Sequence, residues 1–518
     1  MSEIEAAHWI TLGDIARERR RSTPDACAAV CGNTRLTYRE LDDRSSRLAN
    51  GLHGLGVGQG DLVMWLGQNC HRVLEGIVAA AKLGATFCPV NWRWARPELI
   101  HALQEAGPKV ILWQEFPGCE EAVPLRQRAE SHVPWLWCGD EPADDHGGLD
   151  DSYEDLIARS GADDAEMLVS PWTPAIMIHT AAWDGRQNGA LLSHMGIICQ
   201  NVVTAWTEDI DADCIYLNAG PLFHMATLWH TLTVFHMGGT NVFIPIADPR
   251  LICESITRER CTRSFIVEPT ISRIIELNRS GSYDLTSLEV PGNAKPEWLS
   301  MTKPERGDWA RRGIVYGQTE VSGQLIFSFM QAQGAHGRPL PMSVVRILDE
   351  DGTERSAGTI GEIAVRGPSV MMGYRDRDPL NAYRYRGGWY RTGDLGVRES
   401  NGSLSFRGPK GRLIKSAAEN IYPAEVEAVI SAHPAVAEVA IIGVPDPEWR
   451  QSVKAIVVLR QGAELSADEI IEHCRRSLSS YKKPKFVEFA TSLPRAGIRV
   501  DYEALDKQYG GGGYPGRQ

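Results

Sequence analysis

No stretch of this 518-residue chain approaches the roughly 18 uncharged apolar residues that a membrane-spanning helix requires, since even residues 73–90 are interrupted by Glu75 and Lys82. No membrane span is expected. Excess basic charge is missing too: 54 Lys and Arg against 66 Asp and Glu leave −12, so the electrostatic footprint of a nucleic-acid binder is absent and a nucleotide would have to be a small ligand. The 11 cysteines run from Cys27 to Cys474 without a CxxC pair, and that odd, scattered set reads as reduced, mostly buried thiols. Cys27 and Cys31 lie four apart, but nothing nearby completes a metal site. The opening decapeptide carries acids where a signal peptide needs bases, so export is not expected and a cytoplasmic location is. No internal repeat is present, and the single low-complexity run is the glycine tail from Gly510 to Gly513.

What is present suits a multi-domain globular enzyme, with 43% hydrophobic and 23% charged residues. Helical periodicity over 38–55 and 73–83 alternates with strand candidates at 62–66 and 86–90, which argues for α/β layers with parallel strands. A second round follows: a strand at 175–179, a glycine-containing loop to Gly189, a helix from about Ser193, and strands at 241–245 and 264–267. After Gly337-Arg338-Pro339 the texture changes to short strands and turns. The fold class expected is therefore α/β: a large N-terminal domain (1–406) of doubly wound sheets with a small β-rich subdomain at about 337–406, a small mobile α+β C-terminal domain (407–509), and a flexible tail (510–518).

Three clusters carry chemistry. Val315-Tyr316-Gly317-Gln318-Thr319-Glu320 runs from a strand through a glycine turn to a hydroxyl beside a carboxylate, sufficient to face a phosphate and its magnesium. On its own this has a bland reading as a strand-end loop. Gly388-Trp389-Tyr390-Arg391-Thr392-Gly393-Asp394 sets an aspartate after a tight turn, where a carboxylate can accept both hydroxyls of a ribose. The third cluster is Ser416-Ala417-Ala418-Glu419-Asn420-Ile421-Tyr422-Pro423-Ala424-Glu425-Val426-Glu427.

Together these resemble the adenylate-forming superfamily of acyl- and aryl-CoA synthetases, nonribosomal adenylation domains and luciferases, and most of all its stand-alone acyl-CoA synthetases. Leu36-Thr37-Tyr38-Arg39-Glu40-Leu41, Lys82-Leu83-Gly84-Ala85, Pro221-Leu222-Phe223-His224-Met225, Gly443-Val444-Pro445-Asp446 and Tyr481-Lys482-Lys483-Pro484 stand in the same order, so the likeness covers nearly the whole chain. The resemblance implies an AMP-forming acid–thiol ligase. A carboxylate attacks the α-phosphate of MgATP to give acyl-AMP, and a thiol, that of CoA or of a carrier protein, then displaces AMP. ATP/AMP, Mg2+ and coenzyme A are the implied cofactors, a carboxylic acid the partner, and a homodimer is common among relatives. Carried over by position, Tyr316 and Gly317 bound the adenine, Thr319 contacts phosphate, Glu320 holds magnesium and Asp394 binds ribose. Asn293 and Ala294 flank adenine and the acyl pocket, and Gln318, Thr180, Lys410, Arg412 and Lys415 join the nucleotide-binding set. His224 resembles the gate of the acyl tunnel, with a hydrogen-bonded core histidine as the other reading.

The departures fall on the triphosphate side. The family loop Thr-Ser-Gly-Thr-Thr-Gly-x-Pro-Lys-Gly reads here Thr180-Ala181-Ala182-Trp183-Asp184-Gly185-Arg186-Gln187-Asn188-Gly189, without its hydroxyls and lysine. At the hinge, Gly408-Pro409-Lys410-Gly411-Arg412 replaces Gly-Arg-x-Lys-Asp, and Ala417-Ala418 replaces a glycine pair. Arg499 stands where the catalytic lysine is expected, keeping charge but exchanging a compact ammonium for a planar fork. Two other readings follow from these changes: ATP-independent acyl transfer or thioester hydrolysis in the acyl/CoA cavity, and a non-catalytic ligand-binding homologue.

Overall fold

The computed structural model describes residues 3–116, 133–139, 151–180, 187–304, 315–327, 336–417, 419–496 and 499–513, without the side chains of residues 3, 151, 315, 326, 327, 336, 496 and 499. The altered loop residues Ala181–Arg186, Ala418 and the Arg499 side chain thus lie outside the described set, as do residues 514–518.

Two sheets dominate the N-terminal part. One has the order Arg263–Ser264, Ile215–Asn218, Thr240–Phe243, Cys27–Cys31, Thr34–Thr37, parallel except for its last pair. The other runs Gly373–Tyr374, Asn188–Ser193, Pro174–Thr180, Thr86–Pro89, Leu62–Leu66, Val110–Trp113, Trp135–Trp137, Asp151–Ser152. Helices Tyr38–Gly54, His71–Leu83 and Met225–Met237 contribute, with residues of both sheets, to one apolar core. Burying a side chain such as Trp65 or Phe87 there is worth about 1.5–3 kcal/mol. All thirteen residues of His71–Leu83 are buried, and the helix stops at Gly84, whose φ of 66° suits glycine. Its buried Lys82 is neutralised by Asp42 (2.7 Å) and Asp164 (2.6 Å).

Two local expectations change. The loop expected to run to Gly189 ends earlier, because Asn188–Ser193 is a strand antiparallel to Pro174–Thr180, with Thr180 opposite Asn188. Six residues of mixed polarity carry too little periodicity to announce a strand that is buried by its neighbours. The strand expected over 264–267 is only Arg263–Ser264; Phe265 (41% exposed) and Val267 (37%) leave the sheet before the turn into Thr270–Leu277. Over the described part of the glycine tail, Gly512 N donates to Gly443 O (2.8 Å), and Gln451 Nε2 donates to Gly513 O (2.9 Å).

The short strands expected after Gly337 form one antiparallel sheet that also takes in the hairpin Val315–Gln318/Gly323–Phe327. The C-terminal unit is a separate sheet of Ile414–Ser416, Glu419–Ile421, Arg450–Leu459, Val436–Asp446 and Phe486–Phe489. Helices Pro423–Ser431 and Ala467–Arg475 contribute to one of its two apolar clusters, and Tyr502–Tyr509 to the other. Among the described residues no helix is long and apolar enough to cross a membrane.

Candidate active site

The site begins at the Val315–Gln318/Gly323–Phe327 hairpin. Gly317 is required there: a Cβ at this position would fall 2.0 Å from Gly323 O. The chain then closes into the single turn Thr319–Val321 and leaves through Ser322 in the left-handed region (φ 58°). Tyr316, stacked on Phe406 with ring centroids 4.9 Å apart, donates its hydroxyl to Asp394 Oδ2 at 2.7 Å. Gln318 Nε2 donates to the same oxygen at 2.5 Å and to Thr392 O at 3.2 Å. Asp394 follows Gly393, whose φ of 77° turns the strand Trp389–Arg398 so that the carboxyl meets the hairpin. Burial pushes the Asp394 carboxyl up to about 6, against the pull of Tyr316 and Gln318 and with the charge of Glu320 adding to the rise.

Glu320 is the second carboxylate. Its Oε1 accepts from the buried Tyr374 hydroxyl at 2.7 Å, and its backbone carbonyl accepts from Met371 N at 2.8 Å. Its field reaches Tyr385, Tyr390 and the buried Arg384. Tyr374 and Arg384 have no place in the motifs quoted above; they come from a segment that only folding brings under Glu320.

The C-terminal unit closes the opposite side. Glu419 Oε1 lies 2.5 Å from an Arg93 nitrogen and 3.3 Å from His224 Nε2. Burial opposes ionisation of Glu419, yet His224 and Arg93 outweigh it and hold the carboxyl well below the usual range. Arg93 also lies over the rings of Phe223 (5.1 Å) and Tyr481 (5.6 Å), so one guanidinium ties both units together. His224 is the N-cap of Met225–Met237.

Farther along the same interface, Lys482 Nζ donates to Glu98 Oε1 (2.6 Å) and Glu425 Oε1 (2.7 Å), while Gln187 Nε2 donates to the same two oxygens at 2.9 and 3.2 Å. Ser479 completes the buried cluster through its N and Oγ to Glu98 Oε2. Burial lifts Glu425 to about 6 despite Lys482. Gln187 thus joins the end of the altered loop to the C-terminal unit, a contact no local motif announces.

The remaining expected residues are dispersed. Thr180 Oγ1 donates to Asn188 O (3.4 Å), and Asn188 is fully buried at the start of its strand. Asn293 is exposed, and Ala294 N closes a turn onto Pro291 O. Lys410 N donates to Gly393 O (2.8 Å), beside Asp394, with Nζ 3.6 Å from Glu362. Lys415 Nζ donates to Asn420 Oδ1 (2.5 Å), and burial lowers its pKa while Glu419 and Asp394 oppose the fall. Arg412 instead pairs with Glu427 (2.6 and 2.9 Å) and covers the Tyr502 ring inside the C-terminal unit. Arg499–Val500 pairs with Arg495–Ala496, and Arg495 bonds Glu438 of the same unit. Among the described residues no group of three His, Cys, Asp or Glu could hold a metal unaided.

Layered α/β sheets, Asp394 and Glu320 beside one hairpin of an antiparallel sheet, and a small unit docked across them are the arrangement expected of an AMP-binding enzyme with two domains. The chain belongs to that family: the AMP-binding enzyme model matches residues 16–375, and the AMP-binding enzyme C-terminal domain model matches 425–498. Within it the chain is of the acyl- and aryl-CoA synthetase type. It is 35% identical over 495 residues to a feruloyl-CoA synthase of an Amycolatopsis species, covering 94% of this chain and 96% of that one. An indoleacetate–CoA ligase of Aromatoleum aromaticum is 34% identical, covering 89% and 91%. Among solved structures, o-succinylbenzoate CoA synthetase from Bacillus subtilis bound with its product analogue superposes with a TM-score of 0.76 at 25% identity, over 95% of this chain and 98% of that one.

Proposed function

We propose that the protein activates a carboxylic acid with MgATP and transfers the acyl group to the thiol of coenzyme A. The observation that carries this reading is the pairing of Asp394 with Tyr316 and Gln318 beside Glu320, which suits one ribose and one metal-bound phosphate. An ionised Asp394 accepts the two ribose hydroxyls in exchange for part of its present hydrogen bonding. Glu320, a hard oxygen donor, fits Mg2+ shared with phosphate oxygens, and such an ion when bound neutralises charge on the transferring phosphate.

In the first step a carboxylate oxygen bonds to the α-phosphorus as the bond to pyrophosphate breaks. In this reading Thr319, at the start of its turn, is the hydroxyl that meets a phosphate oxygen, and Arg499 is the cation that stands where the resemblance expects a lysine. In the second step a thiol sulfur bonds to the acyl carbon, the bond to AMP breaks, and the thiol proton goes to solvent. Docking of Glu419 onto His224 and Arg93 suits this step, because it closes the site from the C-terminal side. Relatives named as CoA ligases do not favour the ATP-independent reading. Incubation with MgATP, CoA and a panel of acids tests the proposal. AMP and a thioester should appear together and vanish in Glu320→Ala; no AMP with any acid would refute it.

A further inference from the structure

Helix Arg96–Ala106 turns three polar side chains, spaced i, i+3 and i+7, to one stretch of chain. Glu98 Oε1 accepts from Gln187 Nε2 (2.9 Å), His101 Nε2 lies 3.2 Å from Gln187 O, and Glu105 Oε1 accepts from Gly189 N (3.3 Å). Glu105 Oε2 also lies 3.2 Å from His179 Nε2, so the helix meets both ends of the span that the resemblance gives to the triphosphate. Glu98 takes the C-terminal unit as well, through Lys482 Nζ on Oε1 (2.6 Å) and Ser479 N and Oγ on Oε2 (2.8 and 2.6 Å). Gln187, 4% exposed, directs the same amide nitrogen to Glu98 and, at 3.2 Å, to Glu425 of that unit. It stands where the family loop carries proline, a residue without a side-chain donor, so this bridge belongs to this chain and not to the family pattern.

We infer that Gln187 is a positioning residue that couples the triphosphate side of the site to docking of the C-terminal unit, with MgATP loosening the dock and the departure of pyrophosphate restoring it. This rests on the ligase reading above. The backbone oxygen of Gln187 and one of its amide bonds are held by the N-terminal part, and the other amide bond by the C-terminal unit, so a shift of this residue towards a bound triphosphate stretches its bond to Glu425. At 3.2 Å that bond has little slack before it is lost. Whatever docking does to the affinity for MgATP, MgATP must by linkage do to docking. AMP has no β- or γ-phosphate to present at this span, and the thiol step that docking suits follows the loss of pyrophosphate, so AMP leaves the bridge in place.

Hydrogen exchange over residues 477–482 of the full chain reads docking, with MgATP or AMP held at saturation as set by calorimetric Kd. Wild type should exchange about fivefold or more faster with MgATP than with AMP. In Gln187→Leu, and in the shorter Gln187→Asn, MgATP should still bind, and the ratio of the two exchange rates should fall to within about twofold. Gln187→Asn keeps a polar side chain at the buried position, and the wild-type ratio stands as a result even if Gln187→Leu does not fold. Exchange with MgATP equal to or slower than with AMP in wild type, or a ratio that survives both substitutions, overturns the inference. Loss of MgATP binding in both variants also overturns it, because Gln187 would then bind the nucleotide itself. Any of these with acid-dependent AMP release intact in wild type leaves the ligase reading standing; no binding of MgATP to wild type removes both.

Discussion

The Glu419 carboxylate of the C-terminal unit lies 3.3 Å from His224 Nε2 at the head of a helix in the N-terminal part, 195 residues away in sequence. The same carboxylate neutralises Arg93, so one side chain holds a guanidinium and an imidazole of the opposite unit. The closure of the site therefore depends on a charge and not merely on shape.

Replacing Glu419 with Gln should separate the two half-reactions. Pyrophosphate release from acid and MgATP is expected to stay within about threefold of wild type, while thioester formation falls about tenfold or more, consistent with loss of charge-assisted hydrogen bonds. Equal loss in both steps would show that Glu419 does not act through docking.

Asp394→Asn should weaken AMP binding by roughly ten- to a hundredfold, the range of a lost hydrogen bond to a charged group. Calorimetry with AMP reads this directly, and unchanged affinity would remove Asp394 from the ribose site.

The same variant has a pH signature. The folded carboxyl of Asp394 is raised to about 6 from an ordinary 3.8, so the folded state binds the extra proton between those values. Its contribution to stability is present below about pH 4 and lost as pH rises towards 6. Asp394→Asn, neutral throughout, should gain stability relative to wild type over that window and run parallel above it. Thermal unfolding from pH 4 to 7 checks this; a stability difference independent of pH contradicts it.

Lys482→Met leaves Glu98 and Glu425 facing each other without their shared cation. Breaking such a buried pair costs about 3–5 kcal/mol, and the loss should appear as release of the C-terminal unit, visible as faster hydrogen exchange in the described cluster around Gln187 and Ser479. Exchange as slow as in wild type would mean that packing alone holds the interface.

Arg499→Lys should raise the rate of acid-dependent pyrophosphate release, by about tenfold if the planar fork is what limits the geometry. A rate equal to or below wild type would show that this chain is built around the guanidinium.

The carboxylates of the site were legible because each sits in a short contiguous motif: Tyr316 to Glu320 is the end of one strand and the turn that follows it, and Asp394 follows a glycine turn. Tyr374 beneath Glu320, and Arg93 against Glu419 from 326 residues away, were not, since neither pair leaves a periodic or local trace. The long helices were readable from their apolar spacing, as at His71–Leu83, whereas Asn188–Ser193 owes its strand to the partner Pro174–Thr180 and carries little pattern of its own.

The measurement that bears most directly on the central claim is acid-dependent AMP release from MgATP, run with and without coenzyme A and paired with calorimetric titration of MgATP into the protein. The account predicts that MgATP binds, that AMP and acyl thioester form in equal amounts, and that Glu320→Ala abolishes both. AMP binding without MgATP binding, together with no AMP release across aryl and alkyl acids, would contradict it.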